Sequence, residues 1–308
     1  MSILQTCVAT SVFAGTFAAM IAQSPGRPHS VPSGYVTTPF GYFHPSCVQS
    51  LAKGERLLPD GRVEHADGSS NERAAVCNYP HYTPSGTPVT ANVPAAPPEV
   101  SGWVENANIT TGSSGTSYGG LIAVWTVPPQ PIANDGQFLY FFPGLEDIDD
   151  TQSILQPVLS WHGGQWAIAS WNCCLSNTVT ESPAVNVNPG DVIYSSITSA
   201  CAPGALSCST WNVLALDLST GQSTTLSDTP SDGQVFNWAF GGVMEPYYVV
   251  SCKDYPPDRR LKFDHVIVFD ENKRPLRDPE WSSVAGTAAA PQCNYNVEAG
   301  RDEVTLDY

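Results

Sequence analysis

The chain has 308 residues, with 29 Asp and Glu against 13 Lys and Arg, a formal net charge of −16. Nucleic acid is not an expected partner, because phosphate binding needs a basic footprint and no Lys or Arg lies between Arg73 and Lys253. No run of 18 apolar residues offers a membrane-spanning helix, so no membrane partner is expected either.

The cation-free stretch holds thirteen Asp and Glu. Protonating them relieves self-repulsion and breaks few ion pairs, which suits acidic surroundings or serves solubility alone.

In chain order, residues 1–22 read as a signal peptide: a short apolar run at 8–21, then Ala22-Gln23-Ser24-Pro25. A disordered leader is the alternative. Residues 23–39 form a Pro/Ser/Gly-rich spacer, 40–82 a small module bracketed by Cys47 and Cys77, and 83–101 a Pro-rich linker. Cys7 leaves with the signal, and Cys47, Cys77, Cys173, Cys174, Cys201, Cys208, Cys252 and Cys293 remain. Their even number, with no zinc-type CxxC pair, points to a secreted protein with up to four disulfides. Cys47 is expected to pair with Cys77; the other six stay open.

From 102 to 308 the pattern is short alternating runs bounded by Gly, Pro, Asn and Asp. An all-β domain is expected, an antiparallel two-sheet sandwich with strands at 120–127, 137–142, 191–198, 211–217 and 265–269. Within 153–171 the one good turn is Gly163-Gly164, which tolerates positive φ at both positions. It pairs Trp161 with Trp166 and Gln156 with Trp171. Alternation then sends Leu155, Leu159, Trp161, Trp166 and Ile168 to the core, and Ile154, Gln156, Val158, Ser160, Ala167, Ala169 and Trp171 to the other face. That second face is lined by small residues and leaves room for something to lie across it. In 236–250, Trp238, Phe240 and Met244 alternate with Ala239, Gly241, Val243 and Glu245; Gly241-Gly242 suggests a bulge or a close backbone approach. Glu245 is an acid in an apolar run, costly there unless exposed or functional.

Thr126-Val127-Pro128, Phe142-Pro143-Gly144-Leu145 with its acidic loop, Ser153-Ile154-Leu155-Gln156, the Trp-rich hairpin and Pro189-Gly190-Asp191-Val192-Ile193 follow in an order that resembles the eqolisins, fungal glutamic peptidases. The far half looks more like neprosin, the plant glutamic endopeptidase, in Trp238 to Glu245 and in the strand and turn from Val266 to Pro275. The resemblance covers about residues 102–295. It implies a sandwich that hydrolyses peptide bonds at acid pH, with Gln156 at the first catalytic position. The eqolisin place for the second is Ser170 here, whereas the neprosin-like position, Glu245, keeps its acid. The implied dyad is Gln156 and Glu245, expected on neighbouring strands near enough to share a water.

Such a pair suits amide hydrolysis. A carboxyl serves as base for water and then as acid for the leaving amine, while a side-chain amide stabilises the oxyanion. Trp171, Ser160 and Trp238 are the expected substrate-binding residues, and Glu146 and Glu181 the next carboxylates to consider. A secreted, monomeric acid endopeptidase results, acting on polypeptide without cofactor, its N-terminal module a pro-segment. The rival is a non-catalytic sandwich that binds carbohydrate or peptide. Glu146, Asp147, Asp149 and Asp150 form an acidic loop without EF-hand spacing, and the scattered His residues suggest no metal site. Asn108-Ile109-Thr110 is a glycosylation sequon.

Overall fold

Period-two alternation supplies nearly all the regular structure: among the described residues the computed structural model has 22 strands and only short 3-10 turns of helix. It describes residues 26–71, 77–89, 102–111, 115–149, 153–174 and 177–308. The expected signal peptide lies outside them, as does most of the linker. No helix among the described residues is long and apolar enough to cross a membrane.

The N-terminal module supplies β1 (Val36–Thr38), β2 (Gly41–Phe43), β3 (Val48–Ser50), β4 (Arg56–Leu57), β5 (Val63–Glu64), β6 (His81–Tyr82) and β7 (Pro88–Val89). The body opens with β8 (Glu105–Thr110), β9 (Gly120–Thr126), β10 (Phe138–Glu146), β11 (Ile154–His162) and β12 (Gln165–Cys173). Next come β13 (Val179–Glu181), β14 (Val185–Val187), β15 (Val192–Ser199), β16 (Thr210–Asp217) and β17 (Ser223–Pro230). It closes with β18 (Trp238–Tyr247), β19 (Arg260–Phe269), β20 (Ser282–Ala285), β21 (Asn296–Ala299) and β22 (Glu303–Asp307).

Two large sheets result. The nine-stranded sheet runs β20-β8-β18-β10-β11-β12-β13-β3, with β14 also on β12; the seven-stranded sheet runs β17-β16-β15-β9-β19-β22-β21. One apolar cluster joins them, with Leu139, Phe141, Leu155, Trp161, Trp166 and Ile168 from the first and Trp125, Ile193, Trp211, Val213 and Phe263 from the second. Trp125, Trp161, Trp166 and Trp211 are fully buried. Each hides about 200 Å², worth roughly 5 kcal/mol. The indole N–H of the first three finds no partner, which returns about 1–3 kcal/mol apiece. The burial still wins.

A second cluster lies on the opposite face of the nine-stranded sheet. There Tyr140, Phe142, Ile154, Val158, Ala169, Phe240, Val243 and Tyr247 pack against Val31, Tyr35, Tyr42, Phe43 and Cys47 of the module. The room left by the small residues is filled by this chain's own N-terminus. The ordered module is wider than its cysteine bracket. Val31 and Tyr35, from the expected spacer, are buried, and β7, from the expected linker, pairs with β6. Disulfides join Cys47–Cys77, as expected, and Cys173–Cys174, Cys201–Cys208 and Cys252–Cys293.

Candidate active site

The hairpin turns at Gly163 and Gly164, whose φ angles of 61° and 89° are open to glycine without strain. That turn sets the register β11–β12, and Trp161 faces Trp166 and Gln156 faces Trp171, as alternation requires. On the other flank of β11, Phe141 pairs with Leu159 and Leu145 with Leu155, which puts Gly144 opposite Gln156. Gly144 in turn pairs with Phe240 on β18. One row across the sheet therefore reads Phe240, Gly144, Gln156, Trp171 and Glu181.

Strand β18 breaks simple alternation. Its pairing with β8 shifts between Phe240 and Gly242, and its pairing with β10 shifts at the same level. A Cβ on Gly242 would stand 2.6 Å from a ring carbon of Phe263 in the opposite sheet, so the bulge needs glycine where the sheets close up. Past the bulge the phase changes. Trp238 and Phe240 share the Gln156 face with Val243 and Glu245, whereas uninterrupted alternation sets them on opposite faces.

Gln156 is 0% exposed, and neither its Oε1 nor its Nε2 has a hydrogen-bond partner. Leaving such a group unpaired costs about 1–3 kcal/mol. Two buried acids share its face. Glu146, assigned from sequence to the acidic loop, is the last residue of β10, 3% exposed, with Oε2 unpartnered. Burial, and then the charge of Asp147, push its carboxyl well above the usual range. Glu245 is 1% exposed; its Oε1 accepts the Tyr247 hydroxyl at 2.6 Å and its Oε2 has no partner. Burial raises it to about 8, against the lowering effect of the Tyr247 hydrogen bond and of the nearby Trp103 indole.

The expected dyad does not form in this register. Glu245 pairs with Tyr140, and Tyr140 with Ser160, so β10 separates the two strands and Gln156 lies four residues further along. That offset puts the two α-carbons ~16 Å apart, beyond one bridging water. Glu146 is nearer. It faces Ile154, two residues from Gln156 on the same face, a diagonal relation of about 7–8 Å between α-carbons. The strand expected at 137–142 runs on to Glu146, which keeps the even-numbered phase of Tyr140 and Phe142.

The remaining site residues fall as follows. Trp171 flanks Gln156, 9% exposed. Ser160 lies at the Glu245 level, its hydroxyl donating to Ala167 O at 3.3 Å. Trp238 donates its indole N–H to Asn108 Oδ1 at 3.0 Å, which draws the sequon asparagine into the sheet. Ser170, at the eqolisin position, faces away and donates to Thr224 O. Glu181, at the far end of the row, accepts Ser50 Oγ of the module at 2.5 Å, and burial raises its pKa. Asp147 is committed to the backbone, accepting Val235 N and Asp149 N. Among the described residues no group of His, Cys, Asp and Glu gathers as a metal site.

The module closes the face. Its β3 adds to β13 in parallel, Tyr140 donates to Thr37 O at 3.3 Å, and His81 bonds Asn177 at 2.5 Å.

No family model matches the chain, and no curated protein matches it. Similar solved structures include scytalido-glutamic peptidase with a transition-state analog inhibitor, at 18% identity and a TM-score of 0.48, covering 67% of this chain and 98% of that one. Another is SCP-B, of the eqolisin family, in complex with the tripeptide Ala-Ile-His, at 16% identity, a TM-score of 0.45 and the same coverage. A third is aspergilloglutamic peptidase from Aspergillus niger, at 15% identity and a TM-score of 0.37, covering 56% of this chain and 98% of that one.

Proposed function

We propose that the chain is the covered precursor of a secreted acid endopeptidase of the glutamic type, a sandwich whose working groups are Gln156 and Glu146. One observation carries the reading: a fully buried amide with both atoms unpartnered shares a sheet face with a buried carboxyl that has one oxygen unpartnered, and a separate disulfide-closed module packs on that face. Unpaired polar groups in a native interior call for an explanation, and a waiting substrate position supplies one.

With the module away, water reaches Glu146 and its carboxyl falls back toward the ordinary range. The ionised form then takes a proton from an attacking water. Gln156 Nε2 donates to the oxyanion as the carbonyl becomes tetrahedral, and the protonated Glu146 returns the proton to the leaving amine. While covered, the acid stays neutral and the amide cannot be reached, so the precursor is idle. The four disulfides support secretion.

The test is digestion of a denatured protein at acid pH by the chain cut between module and body, with products read by mass spectrometry. Cleavage is expected at roughly pH 3 to 5, near the ordinary carboxylate range. The offset between Gln156 and Glu245 favours a second reading, in which the face only binds polypeptide; that reading gains if the cut chain cleaves nothing.

A further inference from the structure

Glu245 belongs to a different feature from Gln156. Beside it opens a cleft of about 660 Å³ between the module and the segment 285–290, lined by Tyr42, Trp103, Tyr247, Tyr248, Tyr255 and Tyr295. The carboxyl lies directly beneath this lining. Oε1 holds the Tyr247 hydroxyl, and a Cβ on Gly102, another lining residue, would stand 2.8 Å from that same oxygen. Oε2 is buried and unpartnered.

The rings are set as walls. Tyr42 meets Tyr247 edge-on at 5.7 Å, Tyr248 lies 6.1 Å from Tyr247, and Tyr42 and Tyr248 stand 6.5 Å apart. Aromatic faces attract cations, and more strongly where water is excluded. The chain already places one there: the Arg27 guanidinium sits over the Tyr42 ring, 5.6 Å from its centroid, at the rim of the cleft. Arg27 stops short of Glu245, its Nη1 donating to Pro32 O instead.

We propose that this cleft is a binding site for an organic cation, a guanidinium or ammonium group that the tyrosine and tryptophan rings enclose and the Glu245 carboxylate meets. The site does not depend on whether the Gln156 face hydrolyses anything. The titratable groups facing Glu245 are Tyr42, Tyr140 and Tyr247, each kept protonated by burial, so the incoming cation meets one acid and no competing anion among them.

The experiment is calorimetric titration of the full chain with N-acetyl-argininamide and with its neutral isostere N-acetyl-citrullinamide, at about pH 8.5, where Glu245 is mostly ionised. The arginine probe should bind saturably and about tenfold more tightly than the citrulline probe. Glu245→Gln and Tyr248→Leu should each weaken the arginine probe about fivefold or more, and Arg27→Ala should strengthen it by clearing the rim. Circular dichroism checks that each variant is folded, and Tyr248→Leu keeps the test open if Glu245→Gln is not. Equal binding of the two probes, or wild-type affinity in both cage variants, overturns the proposal.

Discussion

Gln156 carries two opposite expectations, one for activity and one for stability. Gln156→Ala should lower peptide cleavage by the uncovered chain about 10²- to 10³-fold through the lost oxyanion donor. Gln156→Leu, which swaps an orphaned amide for an apolar group of like size, should raise the stability of the covered chain by about 1–3 kcal/mol, read as a later urea midpoint. A group retained at a cost to folding is what a working site looks like. Glu146→Gln keeps shape and hydrogen bonding yet removes the base, so cleavage should fall by about 10²-fold or more. The place of Gln156 was legible because a Gly-Gly turn of two residues sets the hairpin register without outside help. Its distance from Glu245 was not. That depends on which strand inserts between β11 and β18, and no local pattern in either strand tells that β10 does.

At the scale of elements, the module is held to the sheet mainly by its own side chains. Val31, Tyr35, Tyr42 and Phe43 pack on the nine-stranded sheet, Leu51, Leu57 and Val63 join the cluster between the sheets, β3 supplies one short parallel pairing, and Arg56 reaches Asp228 of the seven-stranded sheet at 3.0 Å. The Cys47–Cys77 bridge closes a separation of 30 residues, worth about 3–4 kcal/mol by loop entropy. Cys47→Ser with Cys77→Ser should therefore loosen the module while the body stays folded. Limited proteolysis should cut residues 26–89 first and leave 102–308 resistant. The cysteine bracket was readable from spacing. The true width of the module was not, because Val31 and Tyr35 are isolated apolar residues in a Pro-rich stretch, and only the tertiary surface that receives them makes them core. The bulge at Gly241-Gly242 was legible as a weakness in a strand. Its consequence, the change of phase that brings Trp238 and Phe240 to the Gln156 face, needed the opposite sheet and Phe263.

At the scale of the whole molecule, three buried acids tie stability to pH. Burial raises Glu105 to about 9 and Glu245 to about 8, and holds Glu146 well above its usual range. A raised acid keeps its proton in the folded state while the unfolded chain releases it near the ordinary value, so the folded state binds more protons and stability falls as pH rises. The contribution is complete below about pH 4.3 and declines by up to about 1.4 kcal/mol per pH unit per group until each folded value is passed. Thermal melts should give the highest midpoint near pH 4 to 5 and a steady decline to about pH 8, with Glu105→Gln flattening the slope. The all-β class was legible from alternation. This acid preference was only half so, since the missing cations show in the sequence and the buried acids do not. In the proposed arrangement the module covers a working site. The most direct measurement compares intact chain, chain cut in the linker and cut Gln156→Ala, each given a denatured protein at about pH 4, near the ordinary carboxylate value, with peptides counted by mass spectrometry. Cleavage by the cut chain alone is the expected result; silence from the cut chain at every pH from about 2 to 8, the span over which a shifted carboxyl titrates, or equal cleavage by cut Gln156→Ala, would contradict it.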